Sequence, residues 1–175
     1  TKPPRSFSSL SMNPKATWAI GGPNAKTRIA ASLALIAGAE VFLDTNLLIY
    51  AAQGGRVAPE KRDIARRIIL QGRYGTSGQV LAEFYTVAIR KGARPLTPEV
   101  ATRWVRTLAK KPCQPIDTAV VRAAIDLSQR YRISYWDGAI IAAAERLGAR
   151  VVYSEDLNHG QTYGSVRVEN PFLSS

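Results

Sequence analysis

Cysteine and histidine are almost missing from this chain of 175 residues, which contains one of each. Cys113 has no second cysteine with which to form an internal disulfide, and one cysteine cannot build a zinc cluster. His159 is the histidine that a Ser-His-Asp relay would have to use, and no serine stands in the strand-turn-helix pattern of a hydrolase nucleophile. The sequence therefore argues against disulfide-stapled folds, zinc clusters and serine hydrolases.

Long apolar runs and acidic residues are also scarce. No stretch reaches about 18 apolar residues, the length that would favour a membrane span. Acids number 13 against 24 Lys and Arg, which gives a net charge of +11. Such an excess favours an anionic partner such as nucleic acid, although general solubility is the alternative explanation. The length and the 46% hydrophobic content suit one compact domain.

The first 39 residues differ from the rest of the chain. Residues 1–28 are rich in Ser, Pro, Lys and Arg and have no apolar period, which predicts a largely disordered or weakly helical extension over 1–39. The Ala-rich run 29–39 follows Arg28, so a secretory signal, a transit peptide or a start assigned too far upstream are alternatives. We expect a cytoplasmic protein whose folded domain spans 40–175.

From residue 41 onwards, short apolar strands alternate with amphipathic helices. Strands are predicted at 41–43, 74–77, 113–116, 150–153 and 166–168. Helices are predicted at 46–52, 59–71, 79–91, 97–110, 117–131 and 134–147, several with a capping residue or an early proline. This alternation predicts an α/β fold, with a doubly wound parallel sheet flanked by helices.

Two aspartates follow apolar strands directly. Asp44 comes after Val41–Leu43, and Asp156 comes soon after the strand that ends at Tyr153. In open α/β sheets, ligands bind in the crevice at the carboxyl ends of the strands. Simpler roles are a helix N-cap for Asp44 and a turn for Asp156, and Glu155 competes with Asp156 for the position.

Two further acids stand near helix beginnings. Glu83 lies close to the apolar stripe of its helix, where a carboxylate is costly unless it is paired or binds a cation. Asp137 begins a helix of small apolar residues, where the helix dipole favours a negative charge. The alternatives are a surface acid for Glu83 and, because Ser134 precedes Asp137 by three residues, a capping box.

All four acids should therefore meet at one rim of the sheet. Carboxylates so close together would repel one another without a counter-charge, and hard divalent cations such as Mg²⁺ or Mn²⁺ supply it. Thr45 and Asn46, beside Asp44, could orient a carboxylate or a water. A carboxylate cluster with bound Mg²⁺ favours phosphodiester hydrolysis.

Rival chemistries fit less well. A haloacid-dehalogenase-type phosphatase needs a second acid where Asn46 stands, and a receiver domain needs paired acids near the end of the first strand, whereas no acid directly precedes Asp44. The pocket does not distinguish RNA from DNA, because both present phosphates. Basic and aromatic residues could guide or stack on either polymer, although solvated helix ends and core packing are the plainer explanations; these are Arg90, Lys91, Arg94, Tyr85, Trp104, Tyr135 and Trp136.

Five segments together resemble PIN domains, in particular the VapC-type toxin ribonucleases. They are Phe42-Leu-Asp-Thr-Asn-Leu-Leu-Ile-Tyr50, Ser77-Gly-Gln-Val-Leu-Ala-Glu-Phe-Tyr85, Ser134-Tyr-Trp-Asp-Gly-Ala-Ile-Ile-Ala-Ala-Ala144, Tyr153-Ser-Glu-Asp-Leu-Asn-His-Gly-Gln161 and Val168-Glu-Asn-Pro-Phe172. The sequence departs from the family pattern at Gly138, where a bulkier residue or alanine is commoner, and in its long N-terminal leader.

The resemblance implies a specific site and specific partners. Asp44 and Asp137 would be the principal Mg²⁺ ligands, Glu83 and Asp156 would complete the acidic pocket, and Thr45, Asn46 or Ser134 would assist. The substrate would be RNA, cut internally. The protein would form a homodimer and would be held inactive by a small antitoxin. A PIN-like module that binds RNA or protein without cleaving, or a nuclease acting on DNA, would share the same pattern.

Overall fold

The computed structural model describes residues 39–55, 58–92 and 94–173. Within these residues the chain forms six strands and six helices. The strands are β1 (Val41–Leu43), β2 (Tyr74–Ser77), β3 (Cys113–Gln114), β4 (Val151–Tyr153), β5 (Thr162–Tyr163) and β6 (Val166–Glu169). The helices are α1 (Thr45–Gln53), α2 (Pro59–Gln71), α3 (Gly78–Arg90), α4 (Pro98–Leu108), α5 (Thr118–Tyr131) and α6 (Tyr135–Arg146).

The strands form one sheet in the order β3-β2-β1-β4-β6-β5. All neighbours pair in parallel except β5 and β6, which are antiparallel. In the centre, Val41 of β1 lies opposite Tyr74 of β2 on one side and Val151 of β4 on the other. The carboxyl ends of β1, β2 and β4 therefore lie at the same edge of the sheet, as the strand-helix alternation predicted.

Local capping explains where several helices begin. The side chains of Ser77, Thr97, Asp117 and Ser134 each accept a hydrogen bond from a backbone N–H in the first turn of α3, α4, α5 and α6, respectively. Such caps satisfy N–H groups that have no partner within the helix. The predicted helix positions hold to within about two residues, since these polar residues fix the first turn.

Helix α6 packs unusually closely against α5. Every residue from Gly138 to Ala144 is buried. A Cβ atom at position 138 would stand 2.5 Å from the carbonyl oxygen of Ala124 and 3.2 Å from the backbone nitrogen of Ser128. Only glycine fits this approach, which explains the departure from the family pattern at Gly138.

Some expectations need correction, and others fall outside the described residues. The sequence prediction omitted β5, a two-residue strand that pairs with β6 across a turn at Gly164, and it made β3 two residues too long. The sheet is thus parallel with one antiparallel edge. The predictions for 1–38 lie outside the described residues. Among the described residues, no helix has the length and apolar character needed to cross a membrane.

Candidate acidic site

A cavity of about 600 Å³ opens at the carboxyl edge of the sheet. Four of its lining residues are the predicted acids, Asp44, Glu83, Asp137 and Asp156. They come from four separate segments: Asp44 follows β1, Glu83 lies in α3, Asp137 lies in the first turn of α6, and Asp156 follows β4. The fold therefore brings together acids that are up to 112 residues apart in sequence (156 minus 44).

Asp44 is the buried member of the group, with 4% of its surface exposed. Its carboxylate accepts hydrogen bonds from Thr45 N at 2.5 Å and from Ser154 Oγ at 2.7 Å. Burial, together with the smaller effect of the carboxylates of Asp156 and Glu83, raises the pKa of Asp44 to about 6, against the lowering effect of these two hydrogen bonds. Asp44 is also the N-cap of α1, so the capping role and the place in the cavity belong to the same residue.

Glu83 and Asp156 are exposed, and each accepts a hydrogen bond from one of the two residues that follow Asp44. Thr45 Oγ1 donates to Glu83 Oε2 at 3.1 Å, and Asn46 Nδ2 donates to Asp156 Oδ2 at 2.7 Å. Glu83 lies beside the buried face of its helix, three residues after Val80, but its own side chain is exposed. Phe84 and Val80 take the buried positions of α3, and residue 83 is rotated about 100° from residue 84.

Asp137 is half-buried in the first turn of α6. Ser134 Oγ donates to its Oδ2 at 2.7 Å and accepts from its backbone N–H at 3.1 Å. The predicted cap is therefore present, and the same serine orients the carboxylate. The buried residue at this end of α6 is Gly138.

Two neighbours of Asp156 behave differently from each other. Ser154, which the sequence analysis overlooked, is 3% exposed and links Asp44 to the loop, since its Oγ also accepts from Asp156 N at 3.2 Å. The sequence feature that could have indicated Ser154 is its position directly after an apolar strand, which it shares with Asp44. Glu155 does not line the cavity. Its carboxylate accepts hydrogen bonds from Tyr50 Oη at 2.7 Å and from Lys61 Nζ at 2.6 Å. Asp156, not Glu155, lines the cavity.

The carboxylate oxygens of the four acids are suitable ligands for a hard cation, although they do not form a complete coordination site. Among the described residues, no group of three His, Cys, Asp or Glu side chains is placed to hold a metal ion together. Mg²⁺ needs no such cage, because it usually keeps several waters and uses one or two carboxylates. Burial, and to a lesser extent two neighbouring carboxylates, raises the pKa of Asp44, so its charged form is costly here without a cation. Carboxylate oxygens with uncompensated charge fit Mg²⁺ or Mn²⁺.

The cavity also has an apolar side. Trp136 and Ile116 line it and are 63% and 51% exposed, respectively. Of the other aromatic candidates, Trp104 packs against Phe84 with a ring separation of 6.2 Å, and Tyr85 is half-buried. Arg90 ends α3, about 10 Å along the helix axis from Glu83, and Lys91 and Arg94 follow the helix. None of these three basic candidates lines the cavity.

Comparisons with known proteins agree with this architecture. The PIN domain family model matches residues 41–164. No curated protein matches the chain. Among solved structures, a Mycobacterium tuberculosis VapC20, described as a sarcin-ricin loop cleaving toxin, is 19% identical with a TM-score of 0.54, over 65% of this chain and 88% of that one.

Complexes of two other bacteria are similar in fold. DNA-bound VapBC from Salmonella typhimurium is 20% identical with a TM-score of 0.54, over 74% of this chain and 96% of that one. FitAcB from Neisseria gonorrhoeae is 17% identical with a TM-score of 0.51, over 75% and 98%. At these identities the solved structures show a common fold, and the family model covers most of the sheet and all six helices. The chain belongs to the PIN domain family.

Proposed function

We propose that this chain is a divalent-metal-dependent endoribonuclease, the toxin of a VapBC-type toxin–antitoxin pair. The observation that carries the proposal is the meeting of Asp44, Glu83, Asp137 and Asp156 around one cavity at the carboxyl edge of the sheet. Family membership supports a nuclease, and the similar solved structures include one described as a sarcin-ricin loop cleaving toxin. All four acidic positions are filled, which disfavours a module that only binds.

Asp44 and Asp137 would hold the cation, with Glu83 and Asp156 completing its surroundings. When bound, Mg²⁺ would offset the charge of the scissile phosphate and make an attacking water more acidic. Asp44 is the residue most in need of a cation, because its carboxylate is buried and has two acidic neighbours. A bound cation would offset part of the cost of holding this charge away from water.

The hydroxyl and amide donors fix the direction of each carboxylate. Each acid has at least one such contact, from Ser154 to Asp44, Thr45 to Glu83, Ser134 to Asp137 and Asn46 to Asp156. A carboxylate has room for about four hydrogen-bond or metal contacts, so one donor leaves oxygen lone pairs free for a cation or a water. Thr45, Asn46 and Ser134 thus assist by orienting the acids, as Ser154 does.

The proposed partners are RNA, a small antitoxin and a second copy of the chain. RNA is preferred to DNA as the substrate because one toxin of similar fold is described as cleaving the sarcin-ricin loop, whereas the DNA in a similar complex is described only as bound to VapBC. Those complexes also support an antitoxin for this chain. The homodimer rests on the family resemblance.

The reaction is tested by incubating the purified protein with total RNA in Mg²⁺, in EDTA, and as the Asp44→Asn and Asp137→Asn variants. We expect mapped cleavage ends with the unaltered protein in Mg²⁺. Each variant should lose about 100-fold or more in rate, which corresponds to about 3 kcal/mol of transition-state stabilisation. Equal cleavage by Asp44→Asn would identify a contaminating nuclease and refute the proposal.

Two neighbouring acids supply a matched control. Asp156→Asn removes a carboxylate from the cavity, whereas Glu155→Gln removes one that is bound by Tyr50 and Lys61. We expect Asp156→Asn to lower kcat at least about tenfold, since groups that support a metal site typically contribute 10- to 100-fold. The kcat of Glu155→Gln should stay within about threefold of that of the unaltered protein. The reverse order would place the acidic site elsewhere.

A further inference from the structure

The four carboxylates of the acidic cavity oppose the binding of a nucleic acid, because its phosphates carry the same sign of charge. Its lining among the described residues contains four acids and no lysine or arginine. Phosphates approaching these acids are repelled wherever a cation does not intervene. The basic side chains that give the protein its charge can attract the polymer from a distance but do not line this cavity. Apart from what a bound cation supplies, affinity inside the cavity must therefore come from contacts that do not depend on charge.

The apolar side of the cavity offers such contacts. Trp136 stands directly before Asp137 in the first turn of α6 and is 63% exposed. Ile116, on the segment after β3, is 51% exposed and lines the same cavity, together with Ala82, Val87 and Ile140. Large exposed side chains grouped beside a polar site commonly mark a binding surface.

Trp136 is held in place although it is exposed. Its ring packs edge-to-face on Tyr135, with centroids 5.2 Å apart and planes at 75°. The buried Gln79 donates from Nε2 to the carbonyl oxygen of Trp136 at 3.4 Å, which ties the start of α6 to α3. A platform held in this way loses little conformational entropy when a flat ligand stacks on it.

We propose that Trp136 is a stacking residue for a nucleobase next to the phosphate that the acids address, with Ile116 contributing to the same wall. The inference rests on the proposed nuclease function and adds where the substrate base binds. A base has an apolar face that stacks on an indole whatever its identity, and each such stack contributes about tenfold or more to affinity. The adjacency of Trp136 and Asp137 places base and phosphate contacts on one helical turn.

The test uses a short single-stranded RNA that spans a cut mapped in the total-RNA experiment. Cleavage kinetics are compared for the unaltered protein, Trp136→Phe, Trp136→Ala and Leu70→Ala. Leu70 is the control because it is 85% exposed on α2 and does not line the cavity. We expect Trp136→Ala to raise KM about tenfold or more with kcat within about threefold, Trp136→Phe to retain most affinity, and Leu70→Ala to match the unaltered protein.

The second arm removes the base instead of the indole. Two further RNAs of the same sequence each carry one abasic sugar, the first directly before the cut and the second directly after it. Both RNAs are tested with the unaltered protein and with Trp136→Ala. If the two groups stack on each other, one abasic position raises KM, and removing both partners costs no more than removing one. Thermal unfolding of Trp136→Ala checks that the fold is intact.

Three results would overturn the inference. An unchanged KM in Trp136→Ala, or abasic and alanine effects that multiply, would show that the indole does not contact a base. Loss of antitoxin binding in Trp136→Ala with normal RNA kinetics would assign the surface to a protein partner. If the unaltered protein cleaves no RNA in Mg²⁺, the proposed function fails and this inference fails with it, whereas normal cleavage alongside an unaffected Trp136→Ala rejects only the stacking role.

Discussion

Replacing Asp44 by asparagine should stabilise the folded protein at neutral pH. The carboxylate is 4% exposed, and burial raises its pKa from 3.8 to about 6. A raised pKa means that the folded chain holds this proton more tightly than the unfolded chain does. Stability is therefore lost as the pH rises from about 4 through about 6, because the charged form is the costly one in the folded state.

The size of the effect follows from the two pKa values. Their difference of about 2.2, at 1.36 kcal/mol for each pKa unit, gives about 3 kcal/mol of lost stability above pH 6. Asparagine keeps most of the local contacts, since its oxygen can accept from Thr45 N and its amide can donate to Ser154 Oγ. Asparagine is also as good an N-cap as aspartate. A net gain of about 2 to 3 kcal/mol is expected at pH 7.5.

Urea denaturation in EDTA at pH 7.5 and pH 4 measures this gain. At pH 4 Asp44 is almost entirely protonated in the folded protein, so Asp44→Asn should differ little from the unaltered chain. Thermal unfolding at pH 7.5 should show a rise in Tm of about 10 °C. The control is Asp126→Asn, an exposed acid on α5, which should stay within about 0.5 kcal/mol at both pH values.

Two outcomes would refute the reasoning about Asp44. A variant that is no more stable at pH 7.5 would show that the buried carboxylate carries no penalty. An equal gain at both pH values would show a change in packing rather than a removed charge. Saturating Mg²⁺ extends the test, because a cation at the site should stabilise the unaltered protein and narrow its gap to Asp44→Asn.

Two further predictions concern neighbours of the site. Gly138→Ala should destabilise the fold by about 1 to 3 kcal/mol in urea denaturation, since the new Cβ meets the carbonyl oxygen of Ala124. The control is Gly78→Ala, because the nearest atom to a Cβ at that position is 3.9 Å away. This control variant should be neutral or slightly stabilising. Ser154→Ala removes a hydrogen bond that lowers the pKa of Asp44, so in EDTA the fall in stability with rising pH should extend to higher pH; an unchanged pH dependence would contradict this.

The sequence predicted most of the sheet and the helices because local signals and tertiary packing agree in this chain. Apolar triplets such as Val41–Leu43 and capping residues such as Ser77 mark where elements begin and end. Strand β5 escaped prediction because two residues carry no usable period. It exists because Gly164, with φ of 59°, turns the chain so that Tyr163 pairs with Val166.

The meeting of the four acids was predictable for a different reason. In a parallel sheet all strands end at one edge, so an acid after β1 and one after β4 must come close. The exposure and the hydrogen-bond partners of the individual side chains were not predictable from residue type and sequence spacing. The exposure of Glu83 depends on how α3 is rotated, and the role of Ser154 depends on the distance between two strand ends. Both are set by packing across the sheet, which no local pattern records.

The four acids are spread from position 44 to position 156, and β6 lies beyond them at 166–169 beside β4. Synthesis proceeds from the amino terminus, so a growing polypeptide lacks Asp156 and the strand that supports its loop until most of the domain has been made. A ribosome translating this chain therefore holds an incomplete acidic site until residue 156 has been added, and only then can the four acids surround one cavity.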